Sequence, residues 1–469
     1  MKSTMRHTFR YMIAAALACA AVNVDAQDLR TGYFSDGYLY RHNLNPAFAN
    51  DSSYISIPLL GTVNVGMMGN FGYEELVHKN PLYPDESNKK MTSFLNPYLS
   101  NPLKGFASGD NKINGMGKLT VMSAGFKKWK GYNTVELNLR ATANVNAPFK
   151  LFQFAVDPNN ARYDIGDIHA SMQAFGELSF GHSRQIDEKL SVGAKVKLLV
   201  GLADINVKME DVVADLKEAD KWTITANAES HVSANGFKYL SKRKEYNSSS
   251  STYDHVNDVD FGGLGISGFG AAIDAGVVYQ LTDNFTISAA LQDLGAIMWT
   301  NDYYATNDSK SFVFDGFHDV SANSSSPDKL DNQADKYTDQ MLDFANLRDK
   351  GDNGSRVTGI GATMSAGCEY VIPSFRMLKL GLLGMTRLNG PYSWSETRLC
   401  GNIAPKKWFD GTLSLAINNY SANFGFLANF HAKKFNFFLG MDSMIGKLSN
   451  EMIPLSSNGS VSFGFNVLL

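Results

Sequence analysis

Residues 132–146 alternate without a break. Val135, Leu137, Leu139, Ala141, Ala143 and Val145 fall on one face, and Glu136, Asn138, Arg140, Thr142 and Asn144 on the other. A period of two is the signature of a β-strand with one apolar face. The pattern returns where Leu190, Val192, Ala194, Val196, Leu198 and Val200 oppose Ser191, Gly193, Lys195 and Lys197. It also ends the chain, with Val461, Phe463, Phe465, Val467 and Leu469 opposite Ser462, Gly464 and Asn466. A soluble sandwich would turn such apolar faces to a core and the polar faces to water. A membrane barrel turns the apolar faces to lipid and the polar ones to a lumen. Its first and last strands must then pair, because lipid cannot satisfy an open sheet edge. Many such barrels end on an aromatic residue; Leu469 departs from that habit.

The start of the chain reads as a secretory signal over residues 1–26. Lys2, Arg6 and Arg10 precede an almost wholly apolar run from Tyr11 to Val22, and Val24-Asp25-Ala26 is an A-x-A-like cleavage site before Gln27. That run is too short to span a bilayer as a helix. Ala16-Leu17-Ala18 before Cys19 is a poor lipobox, so a lipid anchor is not expected. Every later apolar run is interrupted by charge or by Gly, Asn or Ser. With 19% charged residues, 12% aromatics and 41 glycines, the composition fits a membrane barrel better than a soluble enzyme. Loss of the leader leaves 40 basic and 45 acidic residues, which is no footprint for nucleic acid.

Alternating stretches separated by turn residues are expected as strands at 54–68, 118–128, 132–146, 167–183, 189–207, 267–281, 284–317, 356–371, 376–388, 392–403, 411–419, 421–431, 434–442 and 459–469. The piece at 284–317 is interrupted near Asn301-Asp302. The fold class read from this is all-β, a transmembrane antiparallel barrel of about fourteen strands occupying residues 54–469. Loop lengths check the count. Short turns near Gly131, Asp187, Asp283, Pro373, Pro405 and Ala432 all fall on one rim, the periplasmic one. The long connections 69–117, 147–166, 208–266, 318–355 and 443–458 fall on the other. Within them, 222–232 alternates again above the membrane, and 91–106 reads equally as a core-packed turn or a substrate-contacting cap. Cys368 and Cys400 lie on strands separated by a third, about 9–10 Å apart at two inter-strand spacings, too far for a disulfide.

Residues 27–53 do not alternate. Tyr33, Phe34, Tyr38, Tyr40 and Phe48 make the segment too apolar for a solvated tail, and Pro46 breaks regular structure. It is either a periplasmic arm or, the favoured reading, a plug folded into the lumen, with Tyr38, Tyr40, Asn45, Pro46 and Phe48 as its named residues. The plug is expected to lean on Glu136 and Arg140. Glu136, Arg140, Lys195, Lys197 and Asp274 on the polar faces are the candidates for a substrate path, with Asp293, Glu369 and Lys379 as further charges on those faces. The plainer reading of them is a lumen-spanning salt-bridge network.

Leu44-Asn45-Pro46-Ala47-Phe48-Ala49-Asn50, directly before the first strand, resembles the start of FadL-like long-chain fatty-acid transporters and of PorV-type barrels. The whole of Arg30–Asn50 and the segment Leu281–Trp299 are closer still to an uncharacterised, domain-of-unknown-function family of outer-membrane barrels, and Asp187–Gly193 fits it too. The FadL-like resemblance implies fourteen strands, an N-terminal plug and a lateral route for hydrophobic ligands. Only Asn45, Pro46 and Ala47 match its N-terminal motif, and no ligand-contacting residue carries over.

No catalytic constellation is expected. His42, His78, His169, His182, His231, His255, His318 and His431 sit in no pattern that fixes a nucleophile and its base. CxxC and HExxH are absent, Gly262-Gly263-Leu264-Gly265 precedes a strand rather than opening a helix, and the acidic residues 211–220 are too irregular for an EF-hand. No metal or cofactor is therefore expected. The expected partners are outer-membrane lipid, the barrel-assembly machinery and a hydrophobic or amphipathic small molecule. The expected function is its passive transport across the outer membrane of a Gram-negative cell. The alternative is a non-catalytic structural or secretion-associated barrel that acts through a protein partner.

Overall fold

The computed structural model describes residues 28–82, 91–159, 161–218, 221–263, 265–316, 330–444 and 458–469. The expected leader, with Cys19, lies outside them. Among the described residues, fourteen strands form the wall: β1 (Tyr54–Ser56 and Val63–Gly69), β2 (Asp110–Lys128), β3 (Gly131–Pro148), β4 (Arg162–Gln185), β5 (Leu190–Asp215), β6 (Gly268–Thr282), β7 (Phe285–Trp299), β8 (Arg356–Gly359 and Ala362–Val371), β9 (Leu378–Leu388), β10 (Trp394–Lys406), β11 (Phe409–Asn418), β12 (Ala422–His431), β13 (Phe435–Met441) and β14 (Gly459–Leu468). Each pairs antiparallel with the next. The ring closes where β1 meets β14, at Tyr54↔Leu468 and Val63↔Phe463. Closure leaves no unpaired edge in lipid.

One strand shows which way the wall faces. In β11, Leu413, Leu415 and Ile417 are 60%, 61% and 71% exposed, while Thr412, Ser414 and Ala416 between them are each 2% exposed. Apolar side chains outside and polar ones inside invert the pattern of a soluble protein, as a lipid-facing wall requires. Val196, Leu198, Ile273 and Leu399 continue that outer belt. Among the described residues no helix is long and apolar enough to cross a membrane, so the strands do the crossing.

Several boundaries differ from the sequence expectation, among them the start of β4 and the end of β5, which runs eight residues past the expected point. Residues 54–68 are not one strand: the chain leaves the ladder between Ser56 and Val63. Pro58 has no N–H to give a ladder, and Leu59 follows with φ 64°. The second strand starts at Asp110, eight residues before the expected point, because Gly115 and Gly117, which alternate with the inward Asn114, Met116 and Lys118, carry no apolar side chain and blur the pattern. The expected single strand 284–317 divides. Phe285–Trp299 stays in the wall, whereas Tyr303–Asn307 and Ser311–Phe314 leave it and pair with Trp222–Ala234. The break falls at Asn301-Asp302.

β4 and β5, with 24 and 26 residues, outrun the membrane. At about 3.3 Å per residue the longer spans roughly 85 Å, against a hydrocarbon layer of about 30 Å. Their far ends, paired to Arg162↔Asp215, carry an outer sheet. It comprises Trp222–Ala234, Tyr303–Asn307, Ser311–Phe314 and Leu347–Asp352, with the helix Leu330–Ala345 and the hairpin Lys238–Glu245/Thr252–Asp260 beside it. Phe94 and Phe106 pack with Phe71 and with Phe152 of the helix Phe149–Val156, so their part of 91–106 is core-packed. Cys368 and Cys400 are free thiols on β8 and β10, with β9 between them.

Candidate functional site

Residues 28–50 lie inside the ring. Two short 3₁₀ turns, Arg30–Gly32 and Arg41–Asn43, and a series of i→i+3 bonds such as Gly32 N to Leu29 O (3.0 Å) satisfy much of the backbone without a sheet partner. That frees the side chains to face the wall. Tyr33, Tyr38 and Tyr40 are fully buried. Tyr38 meets Phe438 edge-on at 5.0 Å, Tyr40 meets Tyr54 at 5.7 Å, and Phe48 meets Tyr33 at 5.1 Å. Each pair combines area burial with the edge-to-face geometry that aromatic quadrupoles prefer.

Polar ties run around the ring. Asp28 pairs with Lys118 of β2 (2.9 Å), and Asn43 donates to Glu136 of β3 (3.2 Å). Lys195 of β5 donates to the Asn43 side-chain carbonyl and lies 3.2 Å from Glu136. Asn45 donates to the carbonyls of Val277 (3.3 Å) and Ala289 (3.2 Å) on β6 and β7. Asp36 pairs with Lys379 of β9 at 2.5 Å, and Ser35 donates to Asp410 of β11. Arg30 reaches Glu396 of β10 (3.0 Å) and Asp442 just past β13 (3.1 Å). The Tyr40 hydroxyl donates to Asn466 of β14 (2.7 Å). The charge-assisted ones among them are the stronger sort, and apart from the exposed Asp36 the ties satisfy groups withdrawn from water.

Two wall glycines make room for the turn at Asn45-Pro46-Ala47. A Cβ on Gly193 of β5 would fall on the Pro46 carbonyl and the Ala47 nitrogen, which are backbone atoms. A Cβ on Gly276 of β6 would fall on the Asn45 amide oxygen, with Pro46 Cδ at 2.9 Å. Pro46 is buried there, and Asn45 Oδ1 caps the turn by accepting from Ala47 N at 2.9 Å.

The five wall residues singled out in the sequence divide between two clusters. Glu136 and Lys195 touch the segment directly. Arg140, Lys197 and Asp274 do not; they meet one another through Asp293. Arg140 forks onto both Asp293 oxygens (2.9 and 2.8 Å) and bonds Glu177 (2.8 Å). Lys197 bridges Asp274 (2.8 Å) and Asp293 (2.5 Å). Asp293 has φ 57° and sits with Gln292 opposite the single residue Asp274, so a β-bulge turns both inward. Glu369 and Lys379 pair at 3.2 Å lower on the wall. The sequence reading missed Asp28, Lys118, Glu177, Glu396, Arg398, Asp442 and Arg387. Glu396, Arg398 and Cys400 do alternate with exposed Leu399, so their inward direction was readable. Their partners, which depend on barrel register, were not.

Between the buried segment and the long-loop rim lies a small cavity of about 40 Å³, room for a few waters. Arg140, Glu177, Lys197, Asp293 and Arg387 line it, with Leu44, Met116 and Met385 as apolar patches. It is charged more than greasy. Ser35, Asp410 and His431 also cluster, but with the acid in the middle: Ser35 donates to one Asp410 oxygen (2.5 Å) and His431 meets the other (2.5 Å). Acyl transfer needs the histidine between acid and serine, so this order cannot activate the hydroxyl. Among the described residues no group of three His, Cys, Asp or Glu side chains could hold a metal ion.

Known structures with a similar course include the P. putida toluene transporter TodX, at 10% identity with 90% of this chain and 91% of that one covered and a TM-score of 0.39. A Pseudomonas aeruginosa FadL homologue shares 11% identity, with 93% of both chains covered and a TM-score of 0.34. The translocator domain of the Neisseria meningitidis autotransporter NalP shares 8%, covering 99% and 97%, with a TM-score of 0.33. No curated protein matches the chain. A family match spans residues 46–442, from Pro46 through the end of β13, and the chain belongs to that family of unknown function, DUF5723.

Proposed function

We propose that this chain is a non-enzymatic outer-membrane barrel, exported by a leader over residues 1–26. In this reading residues 27–53 are its plug, and it passively carries a hydrophobic or amphipathic small molecule. The observation that carries the reading is the segment 28–50, tied inside a closed ring beside a small charged cavity. Segment and cavity together describe a gated path. The charged lining of that cavity favours an amphipathic cargo over a purely apolar one. Glu136 and Lys195 then hold the plug, while Arg140, Lys197 and Asp274 shape the path. Outer-membrane lipid and the barrel-assembly machinery are the general partners such a barrel requires.

The test is deletion of residues 28–44. Liposome swelling with the reconstituted variant should show raised permeability to small solutes, while the barrel keeps its heat-modifiable mobility. Pro46→Ala should act more weakly, since proline only sets the local chain direction. Unchanged permeability in an intact deletion barrel would refute a plug. The second reading, a barrel acting through a protein partner, is favoured by the folded sheet on β4 and β5, far beyond what a pore needs. Stoichiometric co-purification with another protein would select it.

A further inference from the structure

We propose that one side of the short-turn rim binds anionic phospholipid of the leaflet it faces. The surface is an arc over three turns, crossing the seam between β14 and β1. Lys406 and Lys407 stand in the turn from β10 to β11, and Lys433 and Lys434 in the turn from β12 to β13. Lys127, Lys128 and Lys130 stand in the turn from β2 to β3. All are exposed, and none pairs with an Asp or Glu among the described residues. Asp51, just ahead of β1, is the one exposed acid in those turns and at the seam among the described residues. The rest of the rim has no such bias. The β4–β5 turn sets Arg184 and Lys189 against Asp187 and Glu188, the β6–β7 turn carries Asp283, and the β8–β9 turn has Arg376.

Rings lie beside these cations on the lipid-facing wall. Phe409, Phe430, Phe437 and Phe465 are cross-strand partners on β11, β12, β13 and β14, with successive centroids 5.2, 6.1 and 4.6 Å apart. Trp408, 57% exposed, stacks on Phe430 at 6.5 Å and 18°. The β2–β3 turn repeats the pairing of ring and cation. Its two tip residues, Trp129 and Lys130, have φ 55° and 59°, in a turn where Asn and Gly are the favoured pair. Two ordinary side chains held in that strained region point to a use for them. Trp129 is 67% exposed, and Lys128 Nζ lies 5.3 Å from its ring centroid. Aromatic girdles are general to membrane barrels; the one-sided charge is particular to this one. The occupant must offer an apolar body to the rings and a net negative head to the lysines, at the depth of a membrane interface. Anionic phospholipid has both. A zwitterionic phospholipid carries its own ammonium beside the phosphate and gains less, and an acidic soluble protein would meet the lysines but not the lipid-facing rings. The surface lies outside the ring, so it is independent of whether the lumen conducts.

The experiment is quenching of tryptophan fluorescence in the full-length barrel, reconstituted in phosphatidylcholine vesicles. Brominated phosphatidylglycerol and brominated phosphatidylcholine are compared as the minor component, with Trp408 and Trp129 as the exposed reporters on the arc. One lysine near a charged lipid surface is worth about a fivefold gain in association. Phosphatidylglycerol should therefore be favoured at least about fivefold at low salt, and the preference should fall toward unity at about 1 M salt, where charges are screened within about 3 Å. The joint variant Lys406→Gln, Lys407→Gln, Lys433→Gln and Lys434→Gln should lose most of the preference, and Lys189→Gln on the far side of the rim should keep it. Equal quenching by the two lipids in the unmodified barrel would overturn the surface, and this comparison needs no variant to fold. A preference retained by the joint variant, or lost as fully in Lys189→Gln, would overturn it too. Binding of polyglutamate through these lysines with no lipid preference would give the arc to an acidic protein and overturn the lipid assignment.

Discussion

Placing one methyl group on Gly193 or Gly276 tests how the buried segment is held. At Gly193 the new Cβ meets the Pro46 carbonyl and the Ala47 nitrogen, which have no rotamer to escape into. Overpacking of this kind costs about 1–3 kcal/mol when the neighbours cannot move. The strain can be relieved if the 45–47 turn lifts off the wall. Lifting gives up the Asn45 bonds to Val277 and Ala289, each worth about 1 kcal/mol net. These magnitudes are comparable, so Gly193→Ala should partly unseat the segment rather than unfold the ring. Gly276→Ala should do the same through the Asn45 amide, and the double variant should fall short of additive because both act on one turn. Gly401 is the control: it lies in the same wall with nothing within 4 Å of its added Cβ. Limited trypsin digestion of reconstituted protein reads the outcome at Arg30 and Arg41, which the seated segment shields. Cleavage should rise several-fold in the two variants and stay at the unmodified level in Gly401→Ala. Equal protection in all three would mean that the turn does not depend on these two close approaches.

Val196, 52% exposed on β5, should tolerate charge poorly: Val196→Arg is expected to cost about 2–4 kcal/mol if it sits at the bilayer midplane, and Ser191→Arg, on the inward face, much less, as read by urea unfolding in lipid. Outside the membrane, Asp339 of the helix Leu330–Ala345 accepts from Asn247 (2.8 and 2.9 Å) and Ser248 (2.7 and 2.6 Å), and these bonds hold its carboxyl below the usual 3.8 although burial pushes the other way. A depressed folded value means the contact contributes fully above the unfolded pKa and is lost as pH falls through the folded one. Hydrogen-exchange protection at 246–249, taken relative to the intrinsic rate at each pH, should therefore fall below about pH 4, and Asp339→Asn should lower it at pH 7; acid-insensitive protection would contradict this.

Much of the wall was legible because alternation is local: the parity of Val135 to Val145, or of Leu190 to Val200, can be read without knowing any partner. Pro58 shows where that reading stops. A strand-like sequence on both sides hides a break that only the missing N–H explains. Residues 303–314 show a second limit, since alternation marks a strand but not the sheet it joins. For the lumen, direction was readable and pairing was not. Arg140 and Asp293 are 153 residues apart, and their fork depends on the stagger of the whole ring and on a bulge at a residue with φ 57°.

The reach of the segment's ties has a consequence for assembly. It is made before any wall strand, yet Arg30 bonds a residue 412 positions later and Tyr40 one 426 positions later. Neither partner is in place until the final hairpin has been laid down beside Tyr54. The earliest part of the chain must therefore wait, aromatic and unshielded, through synthesis of all the rest, and can dock only as the ring shuts. Contacts of such long sequence separation form late. Docking then rewards a correctly shut ring and no other, because a register slip at the β1–β14 seam would carry Asn466 away from Tyr40 and turn its side chain to lipid.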